Sequence, residues 1–452
     1  MKHVAVIDIG KTNAKLALVD LETLDEVAVL TRPNIPLEDP YPHFDVDGHW
    51  AFLLRGLKDF HRDHGVDGIS ITTHGACGVL LDKDGGLATP VLDYEHTGPD
   101  ELSAEYDALR PDFAQTGSPR LQHGLNLGAQ IHWLLETQSG LRDRLATLVT
   151  YPQYWGVRLT GVAACDVSSL GCHTDLWNPY QGTFSPLVER LGLSGKIAPA
   201  RAASDILGTI LPEIAAQTGL APDTPVACGI HDSNASLLPH ILGRKAPFSV
   251  VSTGTWVIAM GIGVNADLDP ARDTLVNVAA TGAPVPSARF MGGRAFDLLA
   301  GKAPPIPSDS EIAEILTQKT MLLPSVPEDS GPFAGRRAGW LGQEPESGTG
   351  ARTAALSFYL ALMTATCLRL IGHMGPVIVE GPFSRNRACL DMLSVATNAP
   401  VIAAGGATGT AQGAALLLAP ERAGQADPTL PEVVKNARMS AYANAWFDAV
   451  AT

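Results

Sequence analysis

The feature that most constrains the fold is a polar hairpin turn that occurs twice in the sequence. The first turn covers residues 8–13 and lies between two apolar runs, residues 4–7 and 15–19. The second turn covers residues 252–255 and begins 244 residues after the first. It is also flanked by apolar runs, and such runs around a short polar turn are typical of β-hairpins. Two similar hairpins at this separation predict two similar domains.

Both turns combine glycine with side chains that donate hydrogen bonds. Gly10 and Thr12 lie in the first turn, and Gly254 and Thr255 lie in the second. Glycine lets the backbone approach a ligand closely, so N–H and O–H donors can converge on phosphate oxygens. The P-loop motif does not explain the first turn, because it requires a glycine where the chain has Ala5. The two turns are therefore predicted to bind phosphate in another way.

The chain has 452 residues, about three times the ~150 residues of a typical domain, so two or three cores are expected. Runs of strand length alternate with helical patterns, which indicates α/β layers. We place a boundary at residues 243–247, just before the second hairpin, which predicts domains over residues 1–243 and 244–452. The clearest further strands are residues 68–72, 225–228, 376–380 and 400–403, and the clearest helices are residues 51–60, 129–136, 309–318 and 352–371.

The composition excludes several classes of partner. The formal net charge is −15 and no run of Lys or Arg occurs, so the basic surface that a nucleic acid needs is missing. The longest apolar stretch, residues 356–368, is shorter than the ~20 residues that span a bilayer. The apolar run at the N-terminus breaks at Asp8, too early for a signal peptide. We expect neither a nucleic acid nor a membrane as partner.

The six cysteines indicate a reducing compartment. None belongs to a Cys-x-x-Cys pair, and most lie among apolar residues. Such cysteines are typical of buried free thiols in a cytoplasmic protein. Cys165, Cys172 and His173 are close in the sequence, but the two-residue ligand spacing of a structural metal site is missing. A cytoplasmic location is therefore expected.

Three segments resemble the catalytic parts of a known family. Residues 8–13 are similar to its first phosphate loop, Asp-x-Gly-Thr-Thr, with Lys11 in place of the first threonine. Residues 252–255 are similar to its second phosphate loop. Residues 229–234, Gly-Ile-His-Asp-Ser-Asn, are similar to its catalytic Gly-x-x-Asp segment. The three segments occur in the order in which that family has them.

Further segments resemble its ligand-binding parts. Residues 73–76 are similar to the sugar-binding loop, and residues 154–161, followed by Asp166, are similar to a Leu-Thr-Gly stretch of the family. Residues 380–384 and 409–415 stand in place of its adenine-binding glycines and its closing Gly-Ala-Ala helix. By these motifs the chain resembles the FGGY carbohydrate kinases of the actin-like ATPase superfamily, from residue 1 to about residue 418.

The resemblance implies an α/β fold with two ribonuclease H-like domains and an interdomain cleft. It implies an enzyme that uses ATP and Mg²⁺ to phosphorylate a hydroxyl of a small sugar. His74 is similar to a histidine of xylulokinases, the pair His231-Asp232 resembles rhamnulokinases, and the pair Thr72-Thr73 resembles fuculokinases. The implied substrate is a ketose of the xylulose, L-rhamnulose or L-fuculose type.

The resemblance and the chemistry of the side chains give a set of candidate site residues. Asp232 is the candidate catalytic base, and Asp8 is the candidate Mg²⁺ ligand. The candidate nucleotide-binding residues are Gly10, Lys11, Thr12, Asn13, Thr253, Gly254, Thr255, Gly381, Phe383, Ser384 and Asn386. The candidate sugar-binding residues are His74, Gly75, Glu95, Asn126, Asp166 and His231.

Each principal candidate also has a structural alternative. Transfer to a hydroxyl requires a carboxylate that accepts its proton, and Asp232 suits that role, but aspartate is also a common helix N-cap. Asp8 suits a Mg²⁺ ion that keeps its water, or it closes a turn. His74 precedes a glycine, so its ring can face a pocket. Its alternative is a buried histidine whose ring nitrogens are hydrogen-bonded within the protein. The other polar candidates have surface or capping roles as alternatives.

Two other functions stay open at this point. The chain could be a catalytically silent regulator that binds a sugar or a nucleotide on the same fold. It could also be an actin-like filament or chaperone ATPase, although such a protein has no need for the sugar loop around His74. The presence of both Asp8 and Asp232 favours the enzyme. A homodimer also stays open.

Overall fold

The computed structural model describes residues 1–301, 303–404, 409–426 and 429–451. Contacts within the chain divide it into two compact units. Two segments from the C-terminal half belong to the first unit. The first unit comprises Met1–Arg244, Val276–Pro284 and Thr408–Ala426, and the second comprises Lys245–Leu275, Val285–Ala407 and Asp427–Thr452.

The first unit is built on a mixed sheet of seven strands. His3–Ile9 lies inside it, antiparallel to Asn13–Asp20 and parallel to Gly68–Thr73. Apolar side chains of these strands are fully buried, as expected for strands covered on both faces. The remaining strands are Glu26–Pro33 beside Asn13–Asp20, Pro225–Ala227 and Ile230–His231 beside Gly68–Thr73, and Ile206–Thr209 at the far edge.

Helices cover this sheet, and the longest of them in the first unit is Val46–His64. It begins where the Asp45 carboxylate accepts the Gly48 N–H (2.9 Å), and it buries Leu53 and Leu57. The other helical segments are Gly98–Leu102, Ser103–Leu109, Phe113–Thr116, Leu127–Thr137, Leu141–Arg144, Tyr151–Thr160, Val167–Leu170, Leu187–Arg190, Pro212–Thr218, Asp232–Gly243, Thr410–Ala415 and Pro420–Arg422. Short strand pairs are Gly78–Leu81 with Thr147–Thr150, Cys165–Asp166 with Ala200–Arg201, and Trp177–Asn178 with Thr183–Phe184.

The second unit repeats the hairpin arrangement of the first. Phe248–Thr253 is antiparallel to Val257–Ile262 and parallel to Val377–Glu380. Pro284–Phe290 and Val401–Ala403 extend the sheet on either side. The predicted α/β fold with two domains is therefore confirmed. Strand Thr274–Val278 crosses the boundary between the units, because its residues from Val276 onward belong to the first unit. The other strands of the second unit are Met321–Leu323 and Gly339–Leu341, and its helical segments are Pro270–Arg272, Gly292–Ala300, Asp309–Gln318, Gly350–Leu370, Pro382–Arg385, Arg387–Thr397 and Ala437–Ala451.

Helix Gly350–Leu370 forms the core of the second unit. It begins where Thr349 Oγ1 accepts the Arg352 N–H (3.2 Å). Among the described residues it alone is long and apolar enough to span a membrane, but 89% of its apolar window is buried inside the structure. That burial is typical of the core helix of a soluble protein, since a membrane helix would expose apolar side chains to lipid.

Candidate active site

Three candidate residues lie at the ends of neighbouring strands in the first unit. Asp8 is near the end of the inner strand, and His74 directly follows the strand parallel to it. Asp232 follows Ile230–His231, which runs parallel to the same neighbour. The carboxyl ends of parallel strands meet at one edge of a sheet. The structure therefore brings Asp8, His74 and Asp232 together.

Asp232 is the first residue of helix Asp232–Gly243, and its side chain is 34% exposed. Its Oδ1 accepts the Ser233 N–H (2.6 Å) and lies 3.1 Å from His231 Nε2. An ionised carboxylate only accepts hydrogen bonds, so His231 Nε2 carries the hydrogen and donates it. The N-cap position of the helix belongs to His231, not to Asp232.

His231 is buried and contacts two further side chains. Its Nδ1 lies 3.2 Å from the Asn234 amide nitrogen, and its Nε2 lies 3.6 Å from Cys172 Sγ. Burial lowers the pKa of His231, but the charges of Cys172 and Asp232 outweigh burial and raise that pKa well above its usual value. Burial raises the pKa of Asp232, but the charge and hydrogen bond of His231 outweigh it and lower that pKa. Asp232 is thus kept ionised, as a proton acceptor must be.

His74 presents a buried acceptor without a partner. Its Nδ1 lies 2.9 Å from the Gly75 carbonyl, which only accepts, so Nδ1 carries the hydrogen and Nε2 carries a lone pair. Burial lowers the pKa of His74, which keeps the ring neutral. Within the described parts of the chain, Nε2 is buried and has no hydrogen-bond partner. The rings of Phe44, Tyr94 and Tyr151 surround the imidazole at centroid distances of 5.0, 5.3 and 5.2 Å.

The Asp8 carboxylate is largely buried and lies 3.8 Å from Lys15 Nζ. Burial raises the pKa of Asp8 to about 6, and the charge of Asp232 adds to this rise while Lys15 opposes it. Two neighbouring carboxylates repel each other, so a hydrated divalent cation would relieve the repulsion. Across the described ranges, no group of three or more His, Cys, Asp or Glu is arranged to hold a metal ion. The donor set fits a Mg²⁺ ion that keeps most of its water and shares phosphate oxygens.

The first turn is closed by backbone hydrogen bonds. The Gly10 N–H donates to the Asn13 carbonyl (2.9 Å), and the Asn34 side-chain amide donates to the Gly10 carbonyl (2.8 Å). Thr12 and Asn13 are exposed. The hydroxyl and amide donors of this turn are therefore accessible to a phosphate group.

The Lys11 ammonium is held by the loop that follows the predicted sugar-binding segment. It forms a short ion pair with Asp93 and lies 3.1 Å from a carboxylate oxygen of Glu95. It also lies 4.9 Å from the centre of the Tyr94 ring, which favours a cation. Lys11 thus joins the first turn to Glu95, and Glu95 itself is 64% exposed.

Two predicted sugar-binding side chains, Asn126 and Asp166, make hydrogen bonds within the protein. The Asn126 amide donates to the carbonyls of Pro119 (3.0 Å) and His173 (2.9 Å) and is fully buried. Asp166 is the N-cap of Val167–Leu170, where its Oδ1 accepts two backbone N–H groups. The contacts of Asp166 favour its capping alternative, and those of Asn126 tie two distant carbonyls together without capping its helix. Direct sugar binding by the two residues stays a prediction.

Gly75 has no room for a side chain. A Cβ at this position would lie 2.6 Å from Cys172 Sγ and 2.8 Å from His231 Nε2. Such contacts are shorter than real Cβ atoms show, so a larger residue would displace the histidine that holds Asp232. Glycine therefore lets the sugar loop approach His231 closely.

In the second unit, Thr253 and Gly381 join the second phosphate turn to the neighbouring strand. Thr253 Oγ1 donates to the Glu380 carbonyl and accepts the Phe383 N–H (3.2 Å). Gly381 has a φ of +80°, and a Cβ there would lie 2.0 Å from the Thr253 carbonyl oxygen. This close approach requires glycine.

A cavity of about 700 Å³ lies against this turn, which we call the nucleotide cavity. Its wall includes four predicted nucleotide-binding residues, Gly254, Thr255, Phe383 and Asn386. Its volume is within the range of roughly 300–1,000 Å³ for small-molecule sites. Thr253, Gly381 and Ser384 are not part of the wall; Ser384 donates to the Gly381 carbonyl (2.8 Å).

The sequence analysis missed several residues of the nucleotide cavity. Phe296 packs edge to face on Phe383, with ring centroids 5.4 Å apart. Gly293 lies so close to the second turn that a Cβ would be 1.9 Å from the Gly254 carbonyl oxygen. The Gly292-Gly293 pair after a strand is the signal that could have found this part of the site. Other wall residues without a motif are Asp297, Ile312, Thr353, Arg385, Asp391 and Met439.

Two family patterns match the chain over ranges that include both turns and the segment around Asp232. The pattern described as the N-terminal domain of the FGGY family of carbohydrate kinases matches residues 3–239. The pattern described as the carbohydrate kinase FGGY C-terminal domain matches residues 245–427. The chain belongs to the FGGY family of carbohydrate kinases. The resemblance predicted from the sequence motifs is confirmed.

Relatives of this FGGY chain include several named sugar kinases. The crystal structure of a carbohydrate kinase from Novosphingobium aromaticivorans is 37% identical, with a TM-score of 0.90 over 100% of this chain and 98% of that one. L-fuculokinase of Escherichia coli K12 is 26% identical over 57% of this chain and 56% of its own length. Rhamnulokinase of Pectobacterium carotovorum is 25% identical over 58% of this chain and 53% of its own length. The chain thus spans about half the length of the curated relatives it matches.

Proposed function

We propose that this chain transfers the γ-phosphoryl group of ATP to a hydroxyl of a small ketose of the L-fuculose, L-rhamnulose or xylulose type. The observation that carries the proposal is the Asp232 carboxylate, 3.1 Å from His231 Nε2, at the same sheet edge as the unpartnered Nε2 of His74. Family membership and the nucleotide cavity support ATP as the donor. The names of the relatives, L-fuculokinase and rhamnulokinase, support a ketose.

In the proposed reaction, Asp232 accepts the proton of the sugar hydroxyl while that oxygen bonds to the γ-phosphorus. The bond between the γ-phosphorus and the bridging oxygen breaks at the same time, and ADP leaves with that oxygen. The described contacts of the carboxylate are all made by Oδ1, which leaves Oδ2 for the hydroxyl. His231 fixes the carboxylate and keeps it ionised, so we assign it a positioning role. His74 Nε2 accepts a hydrogen bond from another sugar hydroxyl.

In the second unit, the second turn and the nucleotide cavity would hold ATP, with donors for phosphate oxygens in the turn and apolar surface for a base at Phe383. In the first unit, Thr12 and Asn13 supply exposed donors that suit phosphate oxygens. Asp8 would hold Mg²⁺ through water; the ion, when bound, neutralises phosphate charge. Lys11 is predicted to bind phosphate. Its contacts with Asp93 and Glu95 favour a second role, in which Lys11 helps to form the sugar-binding site.

A substrate screen tests the proposal. Purified protein with Mg²⁺ and ATP is incubated with a panel of ketoses, aldoses and polyols, and ADP is measured by a coupled assay. We expect ADP formation that depends on a ketose. Binding of sugar and ATP without turnover by any panel member would favour the silent regulator, and sugar-independent hydrolysis with assembly would favour the filament ATPase.

Removal of the His74 ring is expected to weaken sugar binding more than catalysis. His74→Ala deletes the Nε2 acceptor, so KM for the sugar should rise by roughly 5–150-fold, equivalent to about 1–3 kcal/mol for a lost buried hydrogen bond. The KM for ATP and kcat should change little. His74→Gln, whose carbonyl oxygen can accept the same hydrogen bond, should recover part of the affinity. Equal losses of kcat in both variants would show that His74 is not a sugar ligand.

Replacement of His231 by leucine is expected to change the pH profile. Because His231 lowers the pKa of Asp232, its loss raises that pKa, and the acid limb of kcat/KM moves to higher pH. His132→Leu, a matched change of another buried histidine in the same unit, should leave the acid limb in place. An unchanged acid limb in His231→Leu would contradict the positioning role.

The cellular location and the assembly state are separate proposals. All six cysteines are free and buried, which supports a reducing, cytoplasmic location. Homodimer formation stays a prediction.

A further inference from the structure

The second unit contains another cavity, of about 600 Å³, that shares no wall residue with the nucleotide cavity. Arg272, Arg336 and Arg369 line it together with Phe333 and Phe447. We call it the arginine cavity. The sequence motifs of the family do not include these residues, and the proposed reaction does not use them.

Aromatic rings hold the three guanidinium groups in place. The guanidinium carbons of Arg272 and Arg336 lie 5.8 and 5.4 Å from the centre of the Phe333 ring. The guanidinium carbon of Arg369 lies 3.6 Å from the centre of the Phe447 ring. Trp446 connects the two phenylalanines, with ring centroids 5.9 and 5.4 Å away. These contacts place the three guanidinium groups against the aromatic rings of the wall, although the side chains of Arg336 and Arg369 are exposed.

Within the described residues, each guanidinium donates one N–H group to a backbone carbonyl and makes no other hydrogen bond. Arg272 donates to Pro332 O (3.2 Å), and Arg336 donates to Val450 O (2.6 Å). Arg369 donates to the carbonyl of Ala396 (3.3 Å). A guanidinium has five N–H donors in a planar fork. Within the described parts of the chain, most of the hydrogen-bonding capacity of the three groups is thus unused.

No carboxylate among residues 1–301, 303–404, 409–426 and 429–451 lies within 4.0 Å of these three guanidinium groups. The nearby Asp273 is already engaged, because its two oxygens accept from Arg289 Nε (2.8 Å) and the Gly331 N–H (3.0 Å). Burial lowers the pKa of Arg369, and no neighbouring charge opposes this effect. The three arginines thus bring three positive charges to the wall of one cavity, and within the described residues no carboxylate pairs with them.

We propose that the arginine cavity binds a small phosphate-bearing anion. Planar guanidinium groups match phosphate geometry, and charge-assisted hydrogen bonds to phosphate are among the strong ones. Three like charges around one cavity repel each other, and a bound dianion removes this repulsion. Because Val450 and Phe447 belong to the C-terminal helix, a bound anion also stabilises the packing of that helix.

The test uses inorganic phosphate as the probe and full-length protein. Isothermal titration compares the wild type, the double variant Arg272→Gln/Arg336→Gln, and Arg337→Gln as the control. Arg337 is exposed and next to Arg336 in the sequence, but it does not line the cavity. Melting curves with phosphate against sodium chloride of equal ionic strength give a second readout, since a ligand of the folded state raises the melting temperature.

We expect the double variant to bind phosphate at least about tenfold more weakly than the wild type, and the control to bind within about twofold of it. The rise of melting temperature with phosphate should be lost in the double variant alone. Arg369→Gln should give a similar loss, and it provides the test if the double variant does not fold. Equal phosphate binding in all variants, or equal weakening in Arg337→Gln, would overturn the proposal. Neither readout depends on kinase activity.

Discussion

Asp232→Asn is expected to lower kcat by roughly 10²–10⁴ and to leave the melting temperature almost unchanged. The amide oxygen still accepts the Ser233 N–H, so the start of the helix keeps its hydrogen bond. The amide cannot take the proton of the sugar hydroxyl, so the chemical step loses its base. The KM for ATP should stay the same, because the nucleotide cavity lies in the second unit.

Asp67→Asn is the matched control for this variant. Asp67 also accepts backbone N–H groups in the first unit, from Lys2 (2.6 Å) and His3 (3.1 Å), but it lies at the opposite end of the inner strand. We expect its replacement to lower the melting temperature modestly and to leave kcat unchanged. The reverse pattern, a sharp loss of stability in Asp232→Asn with normal turnover, would make Asp232 a structural residue, and Asp166 would be the next candidate base.

Asp8→Asn is expected to reduce activity and to increase stability at the same time. If the Asp8 carboxylate holds the water shell of Mg²⁺, its loss should lower kcat/KM for Mg-ATP by roughly 10–100-fold. Sugar binding measured by calorimetry should persist, because His74 and Asp232 are unchanged. Equal loss of sugar affinity would mean that Asp8 has a structural role instead.

The gain in stability follows from the raised pKa of Asp8. The folded pKa of about 6 exceeds the ordinary value of 3.8, so the folded state binds more protons between these values. The free energy of unfolding therefore falls as the pH rises from about 4 to about 6. Above about pH 6 the loss of stability from the ionised Asp8 stays constant. Asp8→Asn should raise the free energy of unfolding by on the order of 3 kcal/mol at pH 7 and by well under about 1 kcal/mol at pH 4.

Asp20→Asn gives a control with the opposite sign. Asp20 lies at the other end of the first hairpin, and the hydrogen bond from the Glu22 N–H (2.7 Å) lowers its pKa. Its ionised form therefore stabilises the fold near neutral pH, and the asparagine variant should be less stable there. If both variants changed stability in the same direction at pH 7, burial would not be the cause of the raised pKa of Asp8.

Local patterns predicted the hairpins and the main helices well. The predicted helix 309–318 coincides with Asp309–Gln318, because Ser308 and Glu311 form a capping box that fixes its start. The predicted strands 68–72 and 376–380 are found as Gly68–Thr73 and Val377–Glu380. These elements depend on residues that are close in the sequence, so the local sequence pattern is enough to predict where they lie.

Long-range partners could not be predicted in the same way. Asn126 and Asp166 are polar and near sugar-binding motifs, but the carbonyls and N–H groups that they satisfy become neighbours only in the fold. The ion pair of Lys11 with Asp93 spans 82 residues. No periodicity or spacing in a single sequence reports such pairs.

The sequence also could not predict which chain segments make up each unit. Val276–Pro284 packs in the first unit, where Val276 lies against Gly117 and Val278 against Gly171. A Cβ at Gly117 would lie 2.4 Å from Val276. Position 117 thus requires glycine because a distant segment packs against it. The residues around Gly117 do not indicate which segment that is.

The fate of the γ-phosphoryl group of ATP decides whether this chain is a sugar kinase that uses Asp232 as its base. Products of a reaction with Mg²⁺, ATP and an active ketose are analysed by ³¹P NMR spectroscopy and mass spectrometry, alongside Asp232→Asn. We predict one sugar phosphate ester for each ADP formed by the wild type, with little inorganic phosphate, and almost no ester from the variant. Inorganic phosphate in place of the ester, or equal ester formation by Asp232→Asn, would contradict a sugar kinase that uses Asp232 as its base.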